Sequence, residues 1–318
     1  MRIDSMTYLN TSLPGIQSNQ SAIARLNQQI GTGLRMLNAK DDPVAATKAL
    51  ELGNRVALRT QYAANQDKLE LDLQYQNVLT KEMDSALNQA RGLLTSISPS
   101  HTPELRNVHA EQLKSVFNHL VGLANTRDPS GNYIFAGFET ATKPFGNPGG
   151  GVATTYSGTP QLPKVTAPDG TTIAPGGSRW AEVDAGRYIQ ANDNLDQVFK
   201  AGIAGSDLLQ ELGDAIVNLQ TGGTITEADL DGYIALLDSA VYDLGLIQHR
   251  AAGALTEIKD LRASTEALML AEKNMLSDLT QVDKAAAIVE LQSRQTSLEA
   301  ISRAYSITSG LSLFNYLS

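Results

Sequence analysis

The chain has no cysteine, so disulfides and thiolate metal sites are excluded. Only 5% of it is aromatic, which points to thin helical seams rather than broad packed cores. No apolar run reaches the about 18 residues that span a bilayer, and the N-terminus lacks the basic region and apolar core of a Sec-type signal. The default location is then the cytoplasm, with secretion by a route without a cleaved signal left open. Basic charge is short as well: a net charge of −9 leaves no stripe to meet phosphates, which argues against nucleic acid and against an anionic membrane surface.

Charge is also missing where a solvated helix would carry it. No charged residue occurs from position 5 to 24, and none follows Arg303. The first of these stretches is nonetheless strongly periodic. Met6, Leu9, Leu13, Ile16, Gln20, Ile23, Asn27, Ile30, Leu34 and Leu37 alternate at spacings of three and four, and eight of the ten are aliphatic or Met. That is the seam of a helix needing a partner. The positions between are Ser, Thr, Asn, Gln and Ala rather than Lys and Glu.

A matching strip lies at the other end. Ile288, Leu291, Leu298, Ile301 and Tyr305 lead into Leu311, Leu313, Phe314, Tyr316 and Leu317, and Glu290/Arg294 and Glu299/Arg303 are oriented i,i+4 pairs that support a helix. The two ends are expected to meet as an antiparallel or near-parallel helical pair, with leftover uncharged surface covered by other copies of the chain. The candidate assembly interface is therefore Leu9, Leu13, Ile16, Ile23, Ile30 and Leu34 with Ile288, Leu291, Leu298, Ile301, Tyr305, Leu311, Phe314 and Leu317. The alternative is a terminal hairpin packed on its own domain.

Between these ends, 318 residues leave room for about two domains. Pro14-Gly15 either follows a cap at Thr11 or Ser12 or marks a bend, and the first helix is expected to run to about Leu37. Residues 38–43 then stop and restart the chain, with Asp42 as N-cap and Pro43 in the first turn. From 44 to 98 the repeat continues as one very long helix or as two with a joint near Gly53 or Asn65. Thr102 and Pro103 open a shorter helix closing near Asn125. From 128 to 199 the chain holds seven of its eleven prolines and its one tryptophan, Trp180. Runs at 133–138, 152–156, 162–165 and 187–190 read as short strands. Thr226 with Asp229 forms a capping box before a helix expected to reach about Leu276, and residues 277–283, with Asp283 as cap, mirror the joint at 38–43.

Catalytic chemistry finds no foothold in this pattern. His101, His109, His119 and His249 lack metal-ligand spacing, the glycines at 149–151 are not followed by Lys-Ser/Thr, and no nucleophile-elbow sequence occurs. No catalytic residue, metal or cofactor is assigned. The polar seam residues Gln20, Asn27, Gln76 and Gln248 are read as register-setting pairs or as contacts to a neighbouring subunit.

Two stretches resemble a known family. Thr32-Gly33-Leu34-Arg35-Met36-Leu37-Asn38-Ala39-Lys40-Asp41-Asp42-Pro43-Val44-Ala45-Ala46, with Leu298-Glu299-Ala300 and Ser309-Gly310-Leu311-Ser312-Leu313-Phe314-Asn315-Tyr316-Leu317 at the far end, is similar to the ends of bacterial flagellins and their hook-associated relatives. Gly131-Asn132-Tyr133-Ile134-Phe135-Ala136-Gly137-Phe138 with Lys143-Pro144-Phe145 resembles the hook-filament junction branch, whereas residues 146–195 match little.

The resemblance implies a mainly α protein, a long antiparallel coiled-coil bundle formed by N- and C-terminal segments with a small inserted β-rich domain. Residues 1–42 with 284–318 would form the terminal helical-pair domain of an inner tube wall, 43–132 with 200–283 a long-helix bundle, and 133–199 the outer β-rich insert. It also implies a non-enzymatic adaptor, exported through the flagellar type III apparatus and escorted by a chaperone on the C-terminal helix. That adaptor would stand in a ring of its own copies between hook-associated protein 1 and flagellin. A short flagellin is the alternative. An enzyme or adhesin in 133–199 rests on Trp180 and loop-rich composition alone.

Overall fold

A computed structural model describes residues 2–146, 165–166, 172–173, 178–199, 207–223 and 225–317; residues 2–12 and 308–317 are described by their backbone. In chain order the elements are helices α1 (Arg2–Thr32), α2 (Pro43–Thr95) and α3 (Pro103–Ala124), and strands β1 (Val165–Thr166), β2 (Thr172–Ile173), β3 (Trp180–Asp184) and β4 (Arg187–Gln190). Helices α4 (Asp196–Phe199), α5 (Leu208–Thr221), α6 (Glu227–Thr280) and α7 (Lys284–Leu317) complete the fold. The strands form two separate antiparallel pairs, β1 with β2 and β3 with β4. The chain is thus mainly α, and it divides into two compact units, Met1–Leu58 with Ala267–Ser318 and Arg59–Glu266.

In the first unit, α1 runs through Pro14 as one helix, so no new helix capped by Thr11 or Ser12 starts there. It ends at Thr32, short of the expected Leu37, because Gly33 takes a positive φ of 72° that other side chains rarely adopt. The joints at the two ends of the chain then zip together. Leu34 forms an antiparallel bridge with Gln281, the Arg35 N–H donates to Thr280 O (2.8 Å), and the Val282 N–H donates to Gly33 O (3.0 Å). Asp41 Oδ2 accepts the Leu37 and Asn38 N–H groups at 3.2 and 3.0 Å and pairs with Arg25 at 3.3 Å. The caps stand as read: Asp42 Oδ1 accepts Ala45 N–H, and Asp283 Oδ1 accepts the Ala285 and Ala286 N–H groups.

The second unit holds the core. α2 is one helix, unbroken at Gly53 and Asn65. Met83, Leu87, Leu94, Leu113, Leu120, Leu209, Leu237 and Leu244, from α2, α3, α5 and α6, are fully buried in one cluster. A smaller cluster seats the β3–β4 hairpin, with Val183 and Ile189 against Leu69, Leu73, Ala251 and Ile258. Amides fasten that hairpin to α2: Asn65 Nδ2 donates to Glu182 O at 2.8 Å, and buried Gln66 Nε2 donates to Val183 O at 2.7 Å and Thr265 Oγ1 at 3.2 Å. Gln76 Nε2 donates to Asp193 at 2.6 Å. Thr102 caps α3, and Thr226 and Asp229 form the expected capping box, after which α6 passes Leu276 to reach Thr280.

Residues 133–138 are a chain of turns, not the expected strand. Tyr133, Ile134, Phe135 and Ala136 are all buried in succession, which an alternating strand face does not do, and Gly131 and Gly137 take positive φ on either side. The run at 187–190 is strand β4, while its partner β3 was not among the expected strands. The runs at 152–156 and 162–164 lie outside the described residues.

The fold brings two of the four histidines together: the rings of His101 and His109 stack at 5.5 Å with 10° between their planes. His109 Nδ1 is buried without a hydrogen-bond partner. Burial, and secondarily His101, hold its pKa below the ordinary histidine value. The unfolded chain therefore binds the extra proton first, and His109 contributes stability at pH above about 6.5 that is lost as pH falls. Denaturant melts between pH 7.5 and 5.5 should show this loss, and His109→Gln should flatten it. Leu87→Ala, deep in the larger cluster, should lower unfolding free energy by about 2–5 kcal/mol, whereas Ile288→Ala, on an exposed face, should change it by less than about 0.5 kcal/mol.

A candidate assembly surface

The α1–α7 pair is the densest helix contact in the first unit, and it is antiparallel: Gly33 lies beside Val282 and Asn19 beside Arg294. The predicted α1 seam divides cleanly between two environments. Ile16, Ile23 and Ile30, at one heptad position, are half-buried. Leu13, Gln20, Asn27 and Leu34, at the other, are exposed, the two leucines at 46% and 43%. On α7, Leu291, Leu298, Ile301 and Tyr305 are half-buried in a three-four register, while Ile288 is 44% exposed and Val289 and Ile307, the latter near the far end, are open. Leu9 lies in α1, and Leu311, Phe314 and Leu317 lie in α7, but their side chains are outside the description.

Sequence periodicity did not mark Asn19 or Arg294, which pin the pair polarly. Asn19 is buried, and Arg294 Nη1 donates to its Oδ1 at 3.3 Å while Arg294 Nε pairs with Glu290 at 2.7 Å. The i,i+4 spacing of Glu290 and Arg294 was the one available signal.

The first unit has almost no core of its own. Among its described residues the buried apolar side chains are Ala45 and Ala287, whereas every large buried one belongs to the second unit. Charge is divided in the same sense. The first unit holds 10 Lys and Arg against 9 Asp and Glu, and the second holds 15 against 25. The acidity of the chain therefore resides in the second unit, while the smaller, nearly neutral first unit carries more than half of the large exposed apolar side chains among the described residues.

Trp180 stands at a cavity of about 340 Å³ with Tyr188, His249 and Arg250. Its polar base is already consumed internally: Asp193 accepts from Arg250, Gln190 and Gln76. Burial outweighs these partners and raises the Asp193 pKa. Among the described residues no group of three His, Asp or Glu side chains could hold a metal. Nor is any described helix long and apolar enough to cross a membrane.

Residues 4–140 match the bacterial flagellin N-terminal helical region. Over its whole length the chain is similar to flagellar hook-associated protein 3. It is 26% identical to that of Escherichia coli K12 across 336 residues and 25% identical to that of Salmonella typhimurium LT2 across 333, each alignment covering 99% of both chains. The fold is shared with solved structures of a hook-associated protein from Vibrio parahaemolyticus (TM-score 0.63, 19% identity, 76% of this chain and all of that one) and of hook-associated protein 3 from Legionella pneumophila (TM-score 0.56, 12% identity, 72% and 98%).

Removing the guanidinium should loosen the terminal pair. Arg294→Ala leaves buried Asn19 Oδ1 without its donor, a cost of about 1–3 kcal/mol. Limited proteolysis of the full chain should then cut α1 about tenfold faster or more while the second unit resists as before.

Proposed function

We propose that this chain is a structural, non-enzymatic adaptor of the bacterial flagellum that joins the hook end to the filament. It contacts hook-associated protein 1 on one side and flagellin on the other, and stands in a ring of its own copies within the tubular lattice. Export runs through the flagellar type III apparatus, with a chaperone held on the C-terminal helix until assembly. Residues 1–42 with 284–318 line the inner wall, 43–132 with 200–283 form the long-helix bundle, and 133–199 form the outer insert. Assembly runs through Leu9, Leu13, Ile16, Ile23 and Ile30 on α1 and Leu34 just beyond it, and through Ile288, Leu291, Leu298, Ile301, Tyr305, Leu311, Phe314 and Leu317 on α7.

The observation that carries this reading is the exposed line of Leu13, Gln20 and Asn27 on α1, with exposed Leu34 just past its end. An apolar repeat left half uncovered in one chain gains its missing burial from neighbours in a polymer, at about 25 cal/mol per Å². Near-neutral charge in that unit lets copies approach. The flagellin-type match over 4–140 favours a second reading, a short flagellin that forms the filament itself.

Deleting the gene separates the two. Finished hooks without filaments, with flagellin released into the medium, are the expected result. Normal junctions lacking only the filament subunit would make the chain a flagellin. Chains lacking residues 1–37 or 285–318 should be non-motile with the second unit still folded by circular dichroism. Attached filaments built with either truncation would overturn the adaptor reading.

A further inference from the structure

A second open surface lies on the same unit, apart from α1 and α7. Lys48, Leu52 and Arg55 near the start of α2 and Met275, Asp278 and Leu279 near the end of α6 line a groove of about 450 Å³. Its apolar lining is Leu52, Met275 and Leu279, of which Met275 is 56% exposed. Its charges balance: Glu51, also in the lining, pairs with Arg55 at 2.6 Å, and Lys48 and Asp278 make no ion pair among the described residues. One free cation thus stands on the α2 wall and one free anion on the α6 wall.

We propose that this groove is a contact between copies of this chain. The same face of a second copy covers Leu52, Met275 and Leu279, and the second copy's Asp278 or Lys48 meets the free Lys48 or Asp278 of the first. The choice of a second copy follows from charge. Two chains of net charge −9 repel wherever their acidic units face, and the nearly neutral first unit is where they meet without that cost. A surface bearing one unpaired charge of each sign is complementary to its own repeat, whereas a strongly charged partner would leave one of the two opposed.

This contact rests on the assembly reading above and adds to it a surface beyond the terminal helices. The absence of cysteine and the exposure of both sites allow clean probes. A photo-crosslinking residue is placed at position 275, or for reference at position 13, in the full-length chain, and flagella are irradiated after assembly in cells. The expected result is a crosslinked dimer from position 275 whose second peptide maps to this chain, with Met275→Asp lowering the chain recovered in sheared flagella about tenfold or more. Copy-to-copy crosslinks from position 13 but none from 275, or capture of another flagellar protein at 275, would overturn the groove contact and leave the terminal-helix reading standing. No crosslink from either position would overturn both.

Discussion

A helix with apolar residues at every third and fourth position needs cover on both sides of its stripe, and in this chain α7 covers only one side of α1. Ile16, Ile23 and Ile30 find partial burial; Leu13 and Leu34 do not. Each large aliphatic side chain left in water forgoes about 1.5–3 kcal/mol. The terminal unit is consequently held by polar detail: the Gly33 turn, the Leu34–Gln281 bridge, the Asp41 and Asp42 caps, and the Asn19–Arg294 bond. Such a unit is positioned by its joints and stabilised by what it meets, which suits a subunit that completes its fold on adding to a preformed end.

The second unit is built on the opposite plan. Its core is continuous across α2, α3, α5 and α6, its hairpin is fastened by buried amides of α2, and its surface carries the net negative charge. Gln66, which periodicity does not mark, holds Val183, and Gln76, expected as a register-setting pair or a contact to a neighbouring subunit, instead bonds Asp193 within the same unit. On the proposed assembly, the acidic unit keeps copies apart where they are solvated, and the neutral, under-buried unit is where they meet. Burial and charge therefore separate along the same boundary.

Much of this was legible in the sequence because the signals were local. Asp42, Asp283, Thr102 and the Thr226–Asp229 box mark real helix starts, since a capping side chain reaches only two or three residues onward. The long α2 and α6 followed from sustained three-four spacing. What was not legible depended on contacts distant in sequence. The end of α1 is set by Gly33 and its pairing with residues beyond 280, and Ile134 and Phe135 are buried in the helical core cluster rather than in a sheet. The β3 strand lacks the strict alternation that flags a half-buried edge, and Asn19 looks like any polar residue until Arg294 is placed beside it. Of the predicted interface, the division of the seam into covered and open halves could come only from knowing which face α7 takes.

The central claim is that the open half of the α1 seam is covered in the assembled flagellum. Amide hydrogen exchange of the full-length chain, free in solution and again within isolated flagella, tests it most directly. The account requires fast exchange along residues 13–34 in the free chain and protection raised about a hundredfold or more on assembly, with residues 59–266 little changed. Equal protection of residues 13–34 in both states would contradict it, because the stripe would then owe its order to the single chain alone.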